Sequence, residues 1–505
     1  MKQVVVIFIL IVAAVAGYLI VMEPETLDRL KGEKTVEESV PKLEPEPKNN
    51  RPAKKSTPKP KPKKVESVAV KPAILEIPQM DMEIFVNGEP AKPGKLEFPP
   101  GHFVVSGWTD NGFVHDSFEI KEGATHTVAL KTRKDSPSQR WESFQGGPKR
   151  TGHVAFSDRN DLVLKWKADH GEKVQSSPII IGDTAYFSSA NRLLTAVNLA
   201  DGEQVWSNGE LGSKVSPVAN DSHIFVGDNS GRFAGYLLKN GKRKGFEHMG
   251  SYPTSLAMIS NEAFLVVNGE NRVFSIKTKK RFTGKLPLKI NWELELPELK
   301  GTTANPVVVG GKAVFPTETG ALVAVDLEKG ERVWPTQGEG RAEMQGNMQM
   351  SFVDDRRFLT PTPVVDGVKV IACSPGKIFA VNADTGATLW EKELKASISS
   401  SLSLAHGLVY AGGSDGLIYA FSSEDGGLAY ARKISDKAVF ASPVLFKDKI
   451  LVATGEGRLL LLNAFTGKTV AQNQDLAGAS IDSTPAVSGN YIFAINRKGV
   501  MACFE

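Results

Sequence analysis

One eleven-residue frame recurs along the carboxy-terminal part of the chain. Its fullest copies are residues 196–206 (AVNLADGEQVW), 324–334 (AVDLEKGERVW) and 380–390 (AVNADTGATLW), while 420–430 and 461–471 keep the frame without its tryptophan. In most copies an Asp or Asn at the third place can close a turn on its own backbone, and a Gly at the seventh place can adopt a positive φ angle. Each copy therefore predicts two short strands joined by a tight turn.

A second anchor, a Ser/Thr-Pro pair or its equivalent followed by an apolar strand, precedes each copy. The anchors begin near Pro178, Pro217, Thr254, Pro306, Pro363, Ser401, Pro443 and Pro485. Internal repeats of about 40 residues with short strands and Gly turns are typical of β-propellers. The sequence predicts an all-β protein whose residues 133–505 form an eight-bladed β-propeller. Seven blades is the alternative, because repeats two and three are degenerate.

The propeller is expected to close with a strand from its own beginning. The last repeat has three strands before the chain ends at Glu505, whereas strand 162–168 has no strands of a repeat before it. Pairing the two would complete the last blade and leave no exposed sheet edge. The tryptophans of the repeats are then assigned to packing between neighbouring blades. They are Trp166, Trp206, Trp292, Trp334 and Trp390.

The amino terminus has the pattern of a membrane anchor. Residues 4–22 are apolar throughout and long enough to span a bilayer as a helix. Lys2 precedes the segment and acidic residues follow it, which keeps the amino terminus cytoplasmic and exports the remainder. We predict that residues 1–22 are a single-pass signal-anchor in a bacterial inner membrane, with a periplasmic propeller. The alternative is a signal peptide cleaved after residues 14–16.

A linker and a small β-domain separate the predicted anchor from the propeller. Residues 23–72 are rich in Pro, Lys and Glu and predict an extended, disordered tether. Because this tether carries most of the excess positive charge, the global net charge of +4 does not indicate nucleic-acid binding. Residues 73–132 show short alternating strands with Gly turns, which predict a small antiparallel β-domain.

Both folded regions resemble known families. Residues 73–132 resemble a PEGA domain, through the IFVNGE hairpin at 84–89, Pro-Gly at 93–94 and the PPGHFVV run at 99–105. That resemblance implies an extracytoplasmic, non-catalytic module. The repeats and the opening WESFQGGPKRTG at 141–152 resemble the PQQ-like propeller family. This family includes soluble quinoprotein dehydrogenases and the propeller lipoprotein of the outer-membrane β-barrel assembly machine.

Few residues in the sequence support an enzymatic function. A quinoprotein dehydrogenase of this family needs an anionic cofactor, Ca²⁺ bound by carboxylates and amides, an Asp base and often an adjacent pair of cysteines. The two cysteines, Cys373 and Cys503, are far apart, no Cys/His metal spacing occurs, and the eight histidines do not cluster in the sequence. We therefore expect no catalytic residues, no cofactor and no metal site.

Two groups of residues are candidate binding sites. The first comprises basic residues after the third strands of repeats two and three, and ordinary solvated turn charge is the alternative. Its members are Lys239, Lys242, Arg243, Lys244, Lys277, Lys279, Lys280, Arg281, Lys285 and Lys289. The second is an insertion at 336–358, whose thioethers could bind Cu(I) or a partner protein. Its methionines are Met344, Met348 and Met350.

These observations favour a membrane-anchored extracytoplasmic scaffold whose propeller binds protein or other envelope partners. A tethered ligand sensor and a quinoprotein dehydrogenase are the alternatives. No nucleic-acid partner is expected, and the oligomeric state is left open.

Overall fold

Short strands account for nearly all of the regular structure in this protein. The computed structural model describes residues 71–109, 111–129, 132–138, 140–156, 158–174, 176–190, 193–209, 215–278, 285–317, 320–334 and 360–505. The helical elements of these ranges are two 3-10 turns, Phe144–Gly146 and Pro297–Leu299. The all-β prediction is confirmed for this part of the chain. No helix in it has the length and apolarity needed to cross a bilayer. The predicted anchor and nearly all of the linker lie outside the described residues.

Seven strands form the small amino-terminal β-domain. They are β1 (Ala73–Ile77), β2 (Ile84–Val86), β3 (Glu89–Ala91), β4 (Gly94–Phe98), β5 (Gly101–Thr109), β6 (Gly112–Ile120) and β7 (Thr125–Thr127). One sheet has the order β4-β1-β7 and the other β3-β2-β5-β6. Alternating apolar side chains such as Leu75, Val105 and Val114 fill the core between them. The expectation of a purely antiparallel domain is wrong for one pair, because β7 runs parallel to β1.

Eight four-stranded sheets follow in the described part of the chain, and we number them 1 to 8 in chain order. Strand β8 (Leu164–Asp169) comes first in the chain and belongs to sheet 8. Sheet 1 contains β9 to β12, which are Ile179–Ile181, Thr184–Ser188, Leu194–Asn198 and Gln204–Asn208. Sheet 2 contains β13 to β16, which are Val218–Ala219, His223–Gly227, Arg232–Leu237 and Arg243–His248. Sheet 3 contains β17 to β20, which are Pro253–Ser260, Ala263–Asn268, Arg272–Thr278 and Leu288–Glu295.

The remaining sheets repeat this plan. Sheet 4 contains β21 to β24, which are Val307–Val309, Lys312–Pro316, Leu322–Asp326 and Arg332–Trp334. Sheet 5 contains β25 to β28, which are Val364–Asp366, Lys369–Ser374, Lys377–Asn382 and Thr388–Glu393. Sheet 6 contains β29 to β32, which are Ser403–Ala405, Leu408–Gly412, Leu417–Ser422 and Leu428–Lys433. Sheet 7 contains β33 to β36, which are Val444–Phe446, Lys449–Ala453, Leu459–Asn463 and Thr469–Asn473. Sheet 8 contains β37 to β39, which are Ala486–Ser488, Tyr491–Ile495 and Val500–Phe504, and then β8.

The first and last sheets of the series meet. Strand β8 pairs antiparallel with β39, with Trp166 opposite Cys503. The first strands of neighbouring sheets lie side by side, including β37 of sheet 8 against β9 of sheet 1. Both cysteines are buried and unbonded to each other.

The Ser/Thr-Pro anchors form hydrogen bonds from sheet to sheet. The Ser177 amide donates to Ser216 Oγ at 2.9 Å, and the Thr484 amide donates to Ser177 Oγ at 3.0 Å. Equivalent bonds run from Ser442 to Thr484 and from Thr362 to Ser401. Each hydroxyl thus accepts the buried amide of the neighbouring anchor, which would otherwise lack a partner.

The recurrent frame joins each sheet to the next through its glycine and its tryptophan. Asn382 Oδ1 accepts the amides of Asp384 (2.8 Å) and Thr385 (3.1 Å), which closes the turn. Gly386 then adopts a φ of +74° and lies under the ring of Trp334, so that a Cβ there would lie 2.8 Å from the ring. The Trp334 indole N–H donates to the carbonyl of Ala383 at 2.9 Å. A glycine is therefore needed for its backbone angle and for the space that the indole occupies.

The same contact recurs at three other predicted tryptophans. The indole N–H groups of Trp166, Trp206 and Trp292 donate to the carbonyls of Leu199, Leu238 and Leu327. Trp390 also lies over a glycine, Gly426, but its buried Nε1 has no hydrogen-bond partner in the described part of the chain.

Candidate functional site

One face of the sheet assembly carries two kinds of turn. Because the strands of each sheet are antiparallel, the turn between the first and second strands lies at the same end as the turn between the third and fourth. We call the surface formed by these turns the turn face. At sheets 6 and 7 it is covered by the small β-domain. At sheets 2 and 3 it carries the predicted basic residues.

The small β-domain contacts sheet 6 through histidines and acidic residues. His102 Nε2 lies 2.6 Å from Asp425 Oδ2, and the Ser117 hydroxyl donates to Asp425 Oδ1 at 2.8 Å. Burial alone would raise the pKa of Asp425, but the bonds from His102, the Gly427 amide and Ser117 outweigh it and hold that pKa well below its ordinary value. The ionised carboxylate therefore stabilises the docked arrangement.

Further contacts extend this interface to sheet 7. Arg133 pairs with Glu424 at 2.6 Å, and Glu89 pairs with both Arg432 and Lys468 of sheets 6 and 7. His115 Nε2 lies 3.0 Å from the hydroxyl of Ser422. Sequence reasoning missed this surface, because its partners are separated by about three hundred positions and each pair consists of ordinary polar residues.

The buried member of this interface is His115. Its side chain lies against Gly407, where an added Cβ would approach the ring to 2.6 Å. Burial, opposed by Glu424 and assisted by the nearby Arg133, lowers the pKa of His115 to about 4. The ring is therefore neutral at neutral pH in the docked state.

The structure brings the described basic residues of sheets 2 and 3 together. The Leu286 amide donates to the Lys244 carbonyl at 3.1 Å, so the segment before β20 lies against the start of β16. We define the basic surface as Lys239, Lys242, Arg243, Lys244, Lys277, Lys285 and Lys289. Within the described ranges, none of its six lysines forms an ion pair. Lys279, Lys280, Arg281 and the three methionines of the 336–358 insertion lie outside the described residues.

Two lysines of the basic surface face each other directly. Lys277 on β19 is the cross-strand partner of Lys289 on β20, and both are exposed. Like charges placed opposite each other on a sheet are destabilising. An anionic group bound between them would relieve that repulsion.

The centre of the assembly is occupied by residues 141–154, which we call the hub segment. Its backbone bonds successively to sheets 1, 2, 4, 5, 6 and 7; examples are Pro148 to Val308 and Thr151 to Leu404. Arg150 is fully buried and donates to the carbonyls of Phe144 (2.5 Å) and Leu256 (3.5 Å). Burial lowers the pKa of its guanidinium to about 10. The motif WESFQGGPKRTG is therefore a packing element around which the sheets assemble.

Two histidines that are far apart in the sequence come together in three dimensions. The ring centroids of His153 and His406 lie 5.5 Å apart, and Asp135 Oδ2 lies 2.6 Å from His406 Nδ1. The hub segment, a sheet-6 turn and the segment after the small β-domain supply one residue each. Their separation in the sequence explains why no spacing pattern predicted them.

Comparison with known proteins places the repeats in one family. The family model described as "Outer membrane protein assembly factor BamB" matches residues 144–336 and 345–505. The protein of that name from Yersinia pestis is 22% identical over 336 residues, which covers 64% of this chain and 82% of the relative. The Legionella pneumophila protein of that name is 22% identical over 387 residues, covering 76% and 95%.

Solved structures show the same fold. BamB from Moraxella catarrhalis aligns with a TM-score of 0.52 and 17% identity, over 68% of this chain and 97% of that one. Quinohemoprotein alcohol dehydrogenase from Comamonas testosteroni aligns with a TM-score of 0.55 and 11% identity, over 73% and 81%. At these identities the likeness concerns the fold alone.

Proposed function

Since the chain belongs to the family of outer membrane protein assembly factor BamB, we propose that it is an envelope scaffold that binds protein partners and catalyses no reaction. Relatives across the match are named as assembly factors for outer membrane proteins. In this proposal the eight sheets are the blades of one closed ring. The pairing of β8 with β39 and the bond between Thr484 and Ser177 support closure.

We further propose that residues 4–22 anchor the protein in the inner membrane and that residues 23–72 hold it away from the bilayer. The small β-domain, with its PEGA-like motifs, and the propeller would then face the periplasm. The apolar segment, the basic residue before it and the acidic residues after it support this orientation.

The observation that carries the binding proposal is the pair Lys277 and Lys289. Two exposed lysines held opposite each other on adjacent strands lower stability unless an anion lies between them. They adjoin further unpaired lysines on the same face of the propeller. We infer that this basic surface binds an acidic surface of a partner protein in the envelope. The protein-assembly names of the relatives favour a protein over a lipid headgroup.

Charge reversal tests this proposal. The variant combines Lys242→Glu, Lys244→Glu, Lys277→Glu and Lys289→Glu. Its control makes the same change at four exposed lysines elsewhere, Lys167, Lys392, Lys395 and Lys498. Each protein is crosslinked in envelope extract at low and high salt, and the captured proteins are compared.

We expect a salt-sensitive partner to be crosslinked to the wild-type and control proteins and lost from the basic-surface variant. Capture that is unchanged in the variant would contradict the proposal. Binding to vesicles containing phosphatidylglycerol is measured in parallel. If only vesicle binding depends on these lysines, lipid rather than protein occupies the surface and the proposal is wrong.

A further inference from the structure

A compact group of metal-ligand atoms lies where the small β-domain leads into the propeller. The donor atoms of Asp135, His153 and His406 all lie within 4.8 Å of one another. Asp135 Oδ2 is 2.6 Å from His406 Nδ1 and 3.9 Å from His153 Nδ1. Both histidine side chains are almost entirely buried. No other group of this kind, with three such ligands, occurs in the described ranges.

The hydrogen bonds of His406 orient its ring between Lys447 and Asp135. Its Nε2 contacts the backbone carbonyl of Lys447, and because a carbonyl only accepts, Nε2 must carry a hydrogen. The other ring nitrogen, Nδ1, lies 2.6 Å from Asp135 Oδ2. At this distance a positive charge must lie between the two atoms, either a proton on Nδ1 or a bound cation. A metal ion bound by both groups would take the place of that proton.

The surroundings hold these ligands in place. The Asp135 carboxylate also accepts the backbone amide of His406 at 3.0 Å. His406 has a φ of +56°, a strained angle for a residue with a side chain, which the local structure must maintain. The rings of Trp108 and Phe113 from the small β-domain pack against His406 at 6.1 and 5.8 Å. The Lys447 carbonyl fixes the imidazole orientation, as partners behind metal ligands commonly do.

We propose that Asp135, His153 and His406 form a binding site for a divalent transition-metal ion, with Zn²⁺ as the best fit. Two imidazole nitrogens and one carboxylate oxygen are ligands that Zn²⁺ prefers, and a water or other ligand completes a tetrahedral set. Bonds of about 2.0–2.1 Å place tetrahedral neighbours roughly 3.3 Å apart. The two measured separations lie on either side of that value. All three donor atoms lie within 4.8 Å of one another, so side-chain shifts of roughly an ångström would produce the site.

An adjoining cavity has room for the fourth ligand. Its volume is about 330 Å³, and Trp108, Phe113, Val154 and Phe156 are among the residues that line it. The ion would join three separate parts of the chain: the segment after the small β-domain, the hub segment and a turn of sheet 6. The bound ion would then have a structural role, because it would fix the connection between the small β-domain and the propeller.

Metal content of the full chain tests this inference. The protein is purified in detergent without a polyhistidine tag, stripped with EDTA, dialysed against micromolar ZnSO₄ and measured for bound zinc and thermal stability. Three variants each remove one ligand: Asp135→Asn, His153→Gln and His406→Asn, the last because Asn tolerates positive φ. The matched control is His248→Gln, at an exposed histidine of β16.

We expect one zinc per wild-type or control chain, a tenfold or greater loss of bound zinc in each ligand variant, and zinc-dependent stabilisation only where zinc is retained. Near-ultraviolet circular dichroism identifies variants that have not folded; Asp135→Asn, which is isosteric, decides the outcome if a histidine variant fails. Absence of bound zinc in the wild type, or equal binding by the folded ligand variants, would overturn the inference. The basic surface has no part in this measurement, so its proposal stands or falls separately.

Discussion

Among the described residues, the small β-domain covers the turn face at sheets 6 and 7 and nothing covers it at sheets 2 and 3, although the same strand plan builds both. On the covered side the turn of sheet 6 presents Ser422, Glu424 and Asp425, which contact the small β-domain or Arg133, the residue that follows it. On the uncovered side the equivalent turns present lysines without ion pairs in the described structure. The propeller thus holds its own domain with one set of turns, and in our proposal it binds partners with the other.

The comparison also shows what a turn sequence decides. Both kinds of turn lie beneath a tryptophan from the preceding sheet: Trp206 over Gly241 on the basic side and Trp390 over Gly426 on the covered side. The contact between tryptophan and glycine is shared, although only the Trp206 indole donates a hydrogen bond in the described structure, and the charges displayed above it differ. Three tests examine this separation of packing and charge, beginning with the largest expected effect.

Removing Trp390 should damage the covered side most. Trp390→Ala leaves a cavity beneath the turn that holds Asp425, and we expect it to lower the free energy of unfolding by about 3–5 kcal/mol. The looser turn should also release the small β-domain, which limited proteolysis at the segment around residues 132–138 would detect. Trp206→Ala is the matched control and should lower stability without exposing that segment. A melting temperature unaffected by Trp390→Ala would refute the packing role.

Acidification should weaken the covered side selectively. The pKa of buried His115 is lowered to about 4, whereas an undocked or unfolded chain has the ordinary value near 6.5. Between these values the undocked chain binds a proton that the docked chain excludes, so stability falls as the pH drops from 6.5 to 4. The loss from this residue reaches at most about 3 kcal/mol.

Denaturation midpoints measured between pH 7.5 and 4.5 check this expectation. Carboxylates also titrate in this range. The relevant quantity is therefore the difference in pH dependence between the wild type and His115→Asn. The variant should show a shallower dependence on pH, and His248→Asn at an exposed position should not. Identical slopes for the wild type and His115→Asn would show that the ring is not held neutral by burial.

The sheets could be predicted because their signals are local. An Asx residue, a glycine and a tryptophan within eleven positions each impose a backbone angle or a contact that can be inferred from the sequence. Asn382 and Gly386 of one copy occupy those roles in the structure, and Trp334 of the preceding copy packs on Gly386. The direction of β7 in the small β-domain could not be predicted from the sequence. Its parallel pairing with β1 depends on the path of the chain between the two strands and not on the residue pattern of either strand.

The interface and the proposed metal site could not be predicted, for a different reason. His102 and Asp425 are 323 positions apart, and a histidine in a strand carries no indication of which turn will meet it. His153 and His406 likewise come together only because the hub segment passes the first strands of successive sheets. The basic residues were found because charge is visible in composition, but the opposition of Lys277 and Lys289 required the register of β19 and β20.

The smallest test reverses one charge on the uncovered side. Lys277→Glu converts a like-charge pair into an opposite pair with Lys289, so stability should rise by roughly a few tenths of a kcal/mol while partner binding weakens. The double variant Lys277→Glu/Lys289→Glu restores like charges and should lose the gain. Melting temperatures at low and high salt check this, since screening should remove the difference. If Lys277 lowers the stability of the fold and strengthens partner binding, its role is in binding. If Lys277→Glu instead lowered both, the lysine would be part of the fold, and the two sides of the turn face would differ less than their charges indicate.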